Sequence, residues 1–385
     1  MEKFSKILSL VLTVSMLAML VSCAAPAPTV SDSTSAANSN ASAHSSDPPF
    51  DSESKPYIAV ISKGFQHQFW QTVKAGSKDA AAKYNVDMTF DGPRSESDID
   101  IQVEMLNAAI AKNPQAVVLA ALDTESVTSQ LNDLKEKNIP VIGFDSGIPN
   151  APAYTIWATA STNNENAGKL AADEMFADPS FQAALRAGTP EMPVVIAVAS
   201  QDATSASIVG RTTGYVNQML ANCEKLFPGE VEVTGHAKFA KASAKKAAVE
   251  IFVIIPPSSS ATDALNAIRT VFGMEGLISV FVTNEATVGG ILAATTDGTD
   301  LDRINGKYKN ITVVGFDAGK AHKQAVKNGW FLGSVAQDPY MIGYFAVELA
   351  YKAYIGESVT DCDTGCKFYN SENMDQPDIA QLLYD

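Results

Sequence analysis

Two stretches of the chain, Val141-Ile-Gly-Phe-Asp145-Ser-Gly147 and Val313-Val-Gly-Phe-Asp317-Ala-Gly319, lie 172 positions apart and share five of seven residues. Each is a short apolar run ending in Gly-Phe-Asp-x-Gly. A carboxylate at the carboxyl edge of a parallel strand faces the crevice where ligands of open α/β sheets bind. Asp145 and Asp317 could instead cap helices that follow them, a common task for Asp after a strand; their duplicated context favours the site. A second constellation is Ser62-Lys63-Gly64-Phe65-Gln66-His67-Gln68-Phe69-Trp70. One glycine without Gly-x-Gly-x-x-Gly spacing makes no phosphate cradle. A histidine beside two aromatics suits something with hydroxyls and an apolar face. Phe69 and Trp70 are adjacent on a helix, so one of them is expected in the core, and His67 could simply open that helix.

Placing these residues requires alternating elements. The pattern reads strand Tyr57–Ser62, helix His67–Tyr84, strand Val86–Phe90, helix Asp98–Ala111, strand Ala116–Leu122, helix Glu125–Lys137 and strand Ile139–Asp145. It resumes with strand Val194–Ala199, helix Ser205–Lys225, strand Val231–Thr234 and helix Ala242–Glu250. A helix at Ala261–Val271, strand Leu277–Val282, helix Ala286–Thr295 and strand Ile311–Phe316 complete it, with Ile251–Ser260 a strand running into a loop. Alternation of this kind predicts α/β lobes with parallel sheets covered on both faces. Two similar strand edges carrying Asp145 and Asp317 imply two lobes across a cleft.

At 385 residues, 46% hydrophobic and 18% charged, the chain has material for two ordinary cores. A net charge of −15 without a basic cluster argues against nucleic acid and anionic lipid as partners. The cysteines are Cys23, Cys223, Cys362 and Cys366, with no Cys-x-x-Cys pair and no Cys/His cluster, so neither metal nor cofactor is expected. A Cys362–Cys366 bridge stays open. Trp157, Trp330, His236 and His322 read as core or surface residues.

Residues 1–22 combine Lys3 and Lys6 with an apolar run over Ile7–Leu20, too short for a spanning helix, which needs about twenty residues. Leu20-Val-Ser-Cys23 resembles the bacterial lipoprotein signal, which implies lipidation at Cys23 and an anchor in, not through, a membrane. Residues 23–56, rich in Ala, Ser, Asn and Pro, read as a flexible tether.

Across Tyr57–Asp385 the chain resembles the type I, ribose-binding class of periplasmic sugar-binding proteins that serve ABC importers, in a lipid-anchored Gram-positive form. The resemblance is carried by His67-x-Phe69-Trp70, Ile139–Asp145, Asn163-Asn164-x-x-Ala-Gly168, Ser205–Arg211 leading into Gly214-Tyr215, Thr283-Asn284-Glu285, Val313–Asp317 and Val335-Ala-Gln337-Asp338-Pro339. Each is weak alone; seven in order are specific.

The resemblance implies roles. Ser62 and His67 would bond ligand hydroxyls from the first lobe, Phe69 and Trp70 would stack on a sugar ring, and Phe239 would close its other face. Asp145 and Asp317 would accept from hydroxyl pairs, Arg211 and Asn284 would donate from the second lobe, and Gln337 would sit at the hinge. Asn284 could equally be only a helix cap, and Arg211 a solvated helix residue. Ser146, also expected to contact the ligand, stands where the ribose receptor has Arg, and Ala120-Ala121 replace an Asn-Pro, so ribose itself is not implied. The implied lobes are 57–161 plus 338–360 and 162–337 plus 361–385, joined by three crossings. With scattered histidines and no Gly-x-Ser-x-Gly, an enzyme has little to stand on; a glycosidase-like pairing of Asp145 with Asp317 is the weaker reading. The expected partners are a small sugar, an ABC permease and a membrane through the lipid, with the chain itself a monomer. A sensor kinase or chemoreceptor as recipient, or a nucleoside or signalling-sugar ligand, is the alternative.

Overall fold

The computed structural model describes residues 55–384. The expected signal segment, most of the tether and the lipidation at Cys23 lie outside the described residues. The first lobe is built from β1 (Tyr57–Ile61), α1 (Gln68–Tyr84), β2 (Asp87–Asp91), α2 (Ile99–Ile110), β3 (Ala116–Leu119), α3 (Thr128–Glu136), β4 (Val141–Phe144) and β5 (Ile156–Ser161). The chain then crosses into α4 (Asn164–Ala177), α5 (Pro179–Leu185), β6 (Val194–Ala199), α6 (Ala206–Glu224), β7 (Val231–Gly235), β8 (Val249–Ile254) and α7 (Ala261–Phe272). The second lobe continues through β9 (Leu277–Val282), α8 (Glu285–Ala294), β10 (Thr312–Phe316), α9 (Lys320–Lys327) and β11 (Gly333–Gln337). Last come α10 (Pro339–Tyr354), β12 (Cys362–Asp363), β13 (Cys366–Tyr369) and α11 (Pro377–Ala380).

Two sheets result, ordered β12-β5-β4-β3-β1-β2 and β13-β11-β10-β9-β6-β8-β7. Every pairing is parallel except β11 with β13. β6 (VVIAVA) is buried at all six positions, as a parallel strand covered on both faces must be. The expected α/β architecture of two doubly wound sheets is what the structure shows. The third crossing differs slightly from expectation: Cys362–Asp363 still pairs with β5, so the chain changes sheets between residues 363 and 366.

One expected element is wrong. Ala242–Glu250 is not a helix; Val249–Ile254 is a strand. Its residues alternate, with Val249, Ile251 and Val253 buried and their neighbours half-buried. The Ala/Lys run before it favours helix by propensity. It is held as a loop instead, by Lys245 N bonding Gly229 O and Ala248 N bonding Glu230 O.

Two helix pairs flank the sheets. α4 lies on α6 so closely that a Cβ on Gly168 would fall 2.0 Å from the Arg211 carbonyl oxygen. That contact fixes the turn of α6 that carries Arg211. Among the described residues no helix is long and apolar enough to cross a membrane.

Candidate functional site

The carboxyl ends of both sheets face one cavity. Of the residues expected at a site, His67, Phe69, Trp70, Asp145, Arg211, Asn284, Asp317 and Gln337 line it. Lys63, Glu96, Ile208 and Glu285 complete the wall.

Asp145 follows β4 and Asp317 follows β10, each at a positive φ, 53° and 74°. A left-handed Asp directly after a strand is uncommon and turns the chain sharply there. Neither caps a helix: α9 has Gly319 at its N-cap, and the segment after Asp145 is a turn leading toward β5. Asp145 Oδ2 lies 2.9 Å from Lys63 Nζ, and both side chains are buried. Burial works against that ammonium, but Asp145, Glu96 and Asp202 hold its pKa above the ordinary lysine value. Lys63 Nζ also donates to Ser207 Oγ of the second lobe at 3.0 Å.

Asp317 receives a hydrogen bond from Gln337 Nε2 at 2.7 Å and one from the Glu285 backbone N–H at 3.3 Å. Arg211 Nη1 stands 3.9 Å from its Oδ2. Burial nevertheless outweighs these partners and raises the Asp317 carboxyl above its ordinary pKa. Arg211 is 2% exposed. It is not a solvated helix residue. Nε and Nη2 donate to Asn164 Oδ1 at 3.1 and 2.7 Å, Nη1 donates to Thr283 O at 2.8 Å, and Phe316 packs under the guanidinium at 3.8 Å.

Phe69 and Trp70 both border the cavity, and both also belong to the first lobe's core, as expected for at least one of them. They sit in the first turn of α1, whose N-terminal end is directed at the cleft, so adjacent residues border it together. Their rings meet edge-on at 5.0 Å and 88°. Trp70 Nε1 donates to Glu96 Oε1 at 2.8 Å. Gln201 Nε2 of the second lobe donates to Glu96 Oε2 at 3.1 Å. Burial pushes the Glu96 carboxyl up, yet Lys63, His67 and these donors bring it below its ordinary pKa. His67 is the N-cap of α1 but makes no side-chain cap bond. Its two ring nitrogens lie 3.9 Å from Glu96 and 4.0 Å from Glu285. Glu285 takes the backbone N–H groups of Gln68 and Phe69 at 3.4 Å, and burial raises its pKa, with His67 opposing.

Asn284 is both cap and cavity residue. Its Oδ1 accepts from Thr287 N at 3.2 Å in a capping box, while its Nδ2 donates to Gln201 Oε1.

Three expected residues lie elsewhere. Ser62 Oγ donates to Gly64 O at 3.0 Å and Asp91 O at 3.1 Å, so it orders the loop beneath the site. Ser146 Oγ donates to Asp145 Oδ2 at 3.1 Å and meets Ser207 Oγ at 3.2 Å, forming a strut between lobes. Phe239 is turned into the second lobe's core. The loop after β7 folds back through an antiparallel bridge between Val233 and Lys241, which buries that ring among Val231, Val233 and their neighbours.

The residues that sequence reasoning missed had usable signals. Lys63 lies two residues past the first strand, Glu96 five past the second, and Glu285 adjoins Asn284, all in loops that leave strand carboxyl edges.

A model described as a periplasmic binding protein domain matches residues 58–358, well over half of the sequence. The chain belongs to the periplasmic binding protein family. Its type I fold is shared with solved relatives. A Brachyspira murdochii chain described as an ABC transporter, LacI family transcriptional regulator, is similar at 38% identity and a TM-score of 0.71, over 86% of this chain and 99% of that one. An ABC transporter solute-binding protein from Agrobacterium vitis, solved with bound D-fucose, shares 27% identity at a TM-score of 0.68, over 85% and 100% of the two chains. A carbohydrate transporter solute-binding protein from Agrobacterium radiobacter, in complex with D-arabinose, is 24% identical at a TM-score of 0.67 over 86% and 100%, which speaks to fold alone. No curated protein matches the chain. As a periplasmic binding protein the chain falls in a class of solute-binding, not catalytic, proteins.

Proposed function

We propose that this periplasmic binding protein is an extracytoplasmic lipoprotein that captures a small sugar or related polyol between its lobes and delivers it to an ABC importer. The observation that carries the reading is the convergence of polar groups from both lobes on one cavity. Lys63 reaches Ser207, Glu96 receives Gln201, and Glu285 receives the N-terminal amides of α1. A pyranose offers C–H faces to aromatic rings and a rim of hydroxyls to carboxylates and guanidinium groups. Phe69 and Trp70 would supply the first; Asp145, Asp317, Arg211 and Asn284 the second. D-fucose bound in the Agrobacterium vitis relative supports the ligand class. Contacts from both lobes favour the closed arrangement, which is what a permease would read. The lobes take 57–161 with 338–360, extended here to Asp363, and 162–337 with the remainder.

Thermal melting of the full chain against mono- and disaccharides, polyols and nucleosides tests this. A ligand at about a thousand times its Kd adds roughly 4 kcal/mol, a shift of degrees. A flat response across every sugar and polyol would refute the sugar reading. For the anchor, Cys23→Ala should move the protein out of the membrane fraction, and retention there would refute lipidation.

A further inference from the structure

The charges around the cavity do not balance. Four carboxylates line it, Glu96, Asp145, Glu285 and Asp317, against two permanent cations, Lys63 and Arg211. The cations are already committed. Lys63 is held at Asp145, and Arg211 spends three of its five N–H groups on Asn164 and the Thr283 carbonyl while standing 3.9 Å from Asp317. Glu96 is served by Trp70 and Gln201. Glu285 is left with two long backbone contacts of 3.4 Å and a histidine 4.0 Å away.

A second observation is independent of charge. Gln337 must present Nε2 to the Asp317 carboxylate, because only its N–H can donate there, so its Oε1 points elsewhere as an acceptor. That oxygen is buried without a partner in a residue 2% exposed, on the cavity wall. A buried orphan acceptor destabilises unless a donor meets it. Gln337 Oε1 therefore lacks a donor at a site where carboxylates outnumber the permanent cations.

We propose that the ligand is a sugar amine, its ammonium seated between Glu285 and Asp317, with a ligand N–H or O–H meeting Gln337 Oε1. An ammonium brings three donors and one positive charge and accepts nothing. A neutral parent sugar supplies donors without charge. A uronate adds a further negative charge to a site already rich in carboxylates and is rejected. Burial outweighs the partners that both carboxylates have and raises the pKa of Glu285 and of Asp317, which agrees with carboxylates not fully compensated. The inference rests on the sugar reading above and narrows it.

Calorimetric titration of the full chain at pH 7 decides it. The probes are 2-amino and 6-amino hexoses of gluco, galacto and manno configuration, each beside its parent hexose, N-acetyl derivative and uronate. At least one amine should bind thirtyfold or more tighter than its parent and its N-acetyl form. In Glu285→Gln, which keeps an acceptor oxygen for the α1 amides, the ratio of amine to parent affinity should fall at least tenfold. Parent hexoses binding as tightly as the amines, or a ratio unchanged in Glu285→Gln, overturns the amine while leaving the sugar reading in place. Binding by no member of the set, neutral or charged, removes the sugar reading and this inference with it.

Discussion

Lys63 Nζ lies 2.9 Å from Asp145 Oδ2, with both side chains at most 4% exposed. Were Asp145 only a ligand group, its loss would abolish binding and leave the unliganded fold untouched. The pair makes that untenable. Asp145→Asn leaves a buried ammonium without its counter-charge, and breaking one side of a buried pair costs about 3 kcal/mol or more. The melting temperature should drop by several degrees. Removing the ammonium as well, in Lys63→Met with Asp145→Asn, should recover part of the loss, giving a coupling energy of about 1–3 kcal/mol. Strictly additive losses would mean that the two side chains do not depend on one another.

Phe239 separates the two ways of reading this chain. If it closed the ligand cavity, Phe239→Ala would weaken binding and hardly affect folding. The structure buries the ring in the second lobe's core, so truncation should cost about 3 kcal/mol, as large-to-small core changes do. Affinity, measured by titration well below the melting transition, should change less than threefold. A normal melting curve with lost binding would return Phe239 to the cleft.

Much of the site was legible because strand edges are legible. The repeated Gly-Phe-Asp-x-Gly marked two carboxyl edges, and the glycines in it are demanded by neighbours: a Cβ on Gly315 would fall 2.3 Å from His322 Nε2, and one on Gly143 2.8 Å from Thr159 Oγ1. Arg211 was legible only through the family resemblance; Gly168 and Gly214, which let α4 and α6 approach, hold it in place. What sequence could not show was partnership. Lys63 reads as an ordinary loop lysine until Asp145 and Ser207, 82 and 144 positions away, enclose it. Phe239 was misplaced because a loop that doubles back leaves no periodic trace, and the start of the strand at Val249–Ile254, expected only from Ile251, was hidden behind a helix-favouring Ala/Lys run.

His322 supplies a pH test. Its ring is buried between Phe331 and Tyr369, neither ring nitrogen has a hydrogen-bond partner, and burial pushes its pKa down to about 3. The unfolded imidazole titrates near 6.5. Below that pH the unfolded chain takes up a proton that the folded one refuses, so stability falls as the solution is acidified. At pH 5, 1.5 pH units below the unfolded value, the loss is about 2 kcal/mol at roughly 1.36 kcal/mol for each pH unit. Denaturant unfolding of His322→Leu should show a drop between pH 7 and pH 5 that is smaller by that amount. Equal drops in both proteins would mean that His322 is protonated in the folded state.

The lobes also meet outside the cavity, where serines from two loops touch. Ser97 Oγ accepts from Ser259 N at 2.7 Å and pairs with Ser259 Oγ at 2.8 Å; Ser95 Oγ approaches the same hydroxyl at 3.1 Å. Residues 95–97 precede α2 in the first lobe and Ser259 precedes α7 in the second, so these bonds exist only when the lobes are together. They touch no ligand group, which lets closure be tested apart from recognition. Ser97→Ala removes two of the three contacts. Net hydrogen bonds of this kind contribute about 0.5–1.5 kcal/mol, so ligand affinity should fall about two- to tenfold through a smaller closed population. Because Ser97 is exposed, the unliganded melting temperature should stay within a degree. Solution scattering of the unliganded variant should show a larger radius of gyration than the wild type. Unchanged affinity and an unchanged radius would mean that the serines merely touch as the lobes close, and that closure is set by the groups around Lys63, Glu96 and Glu285 alone.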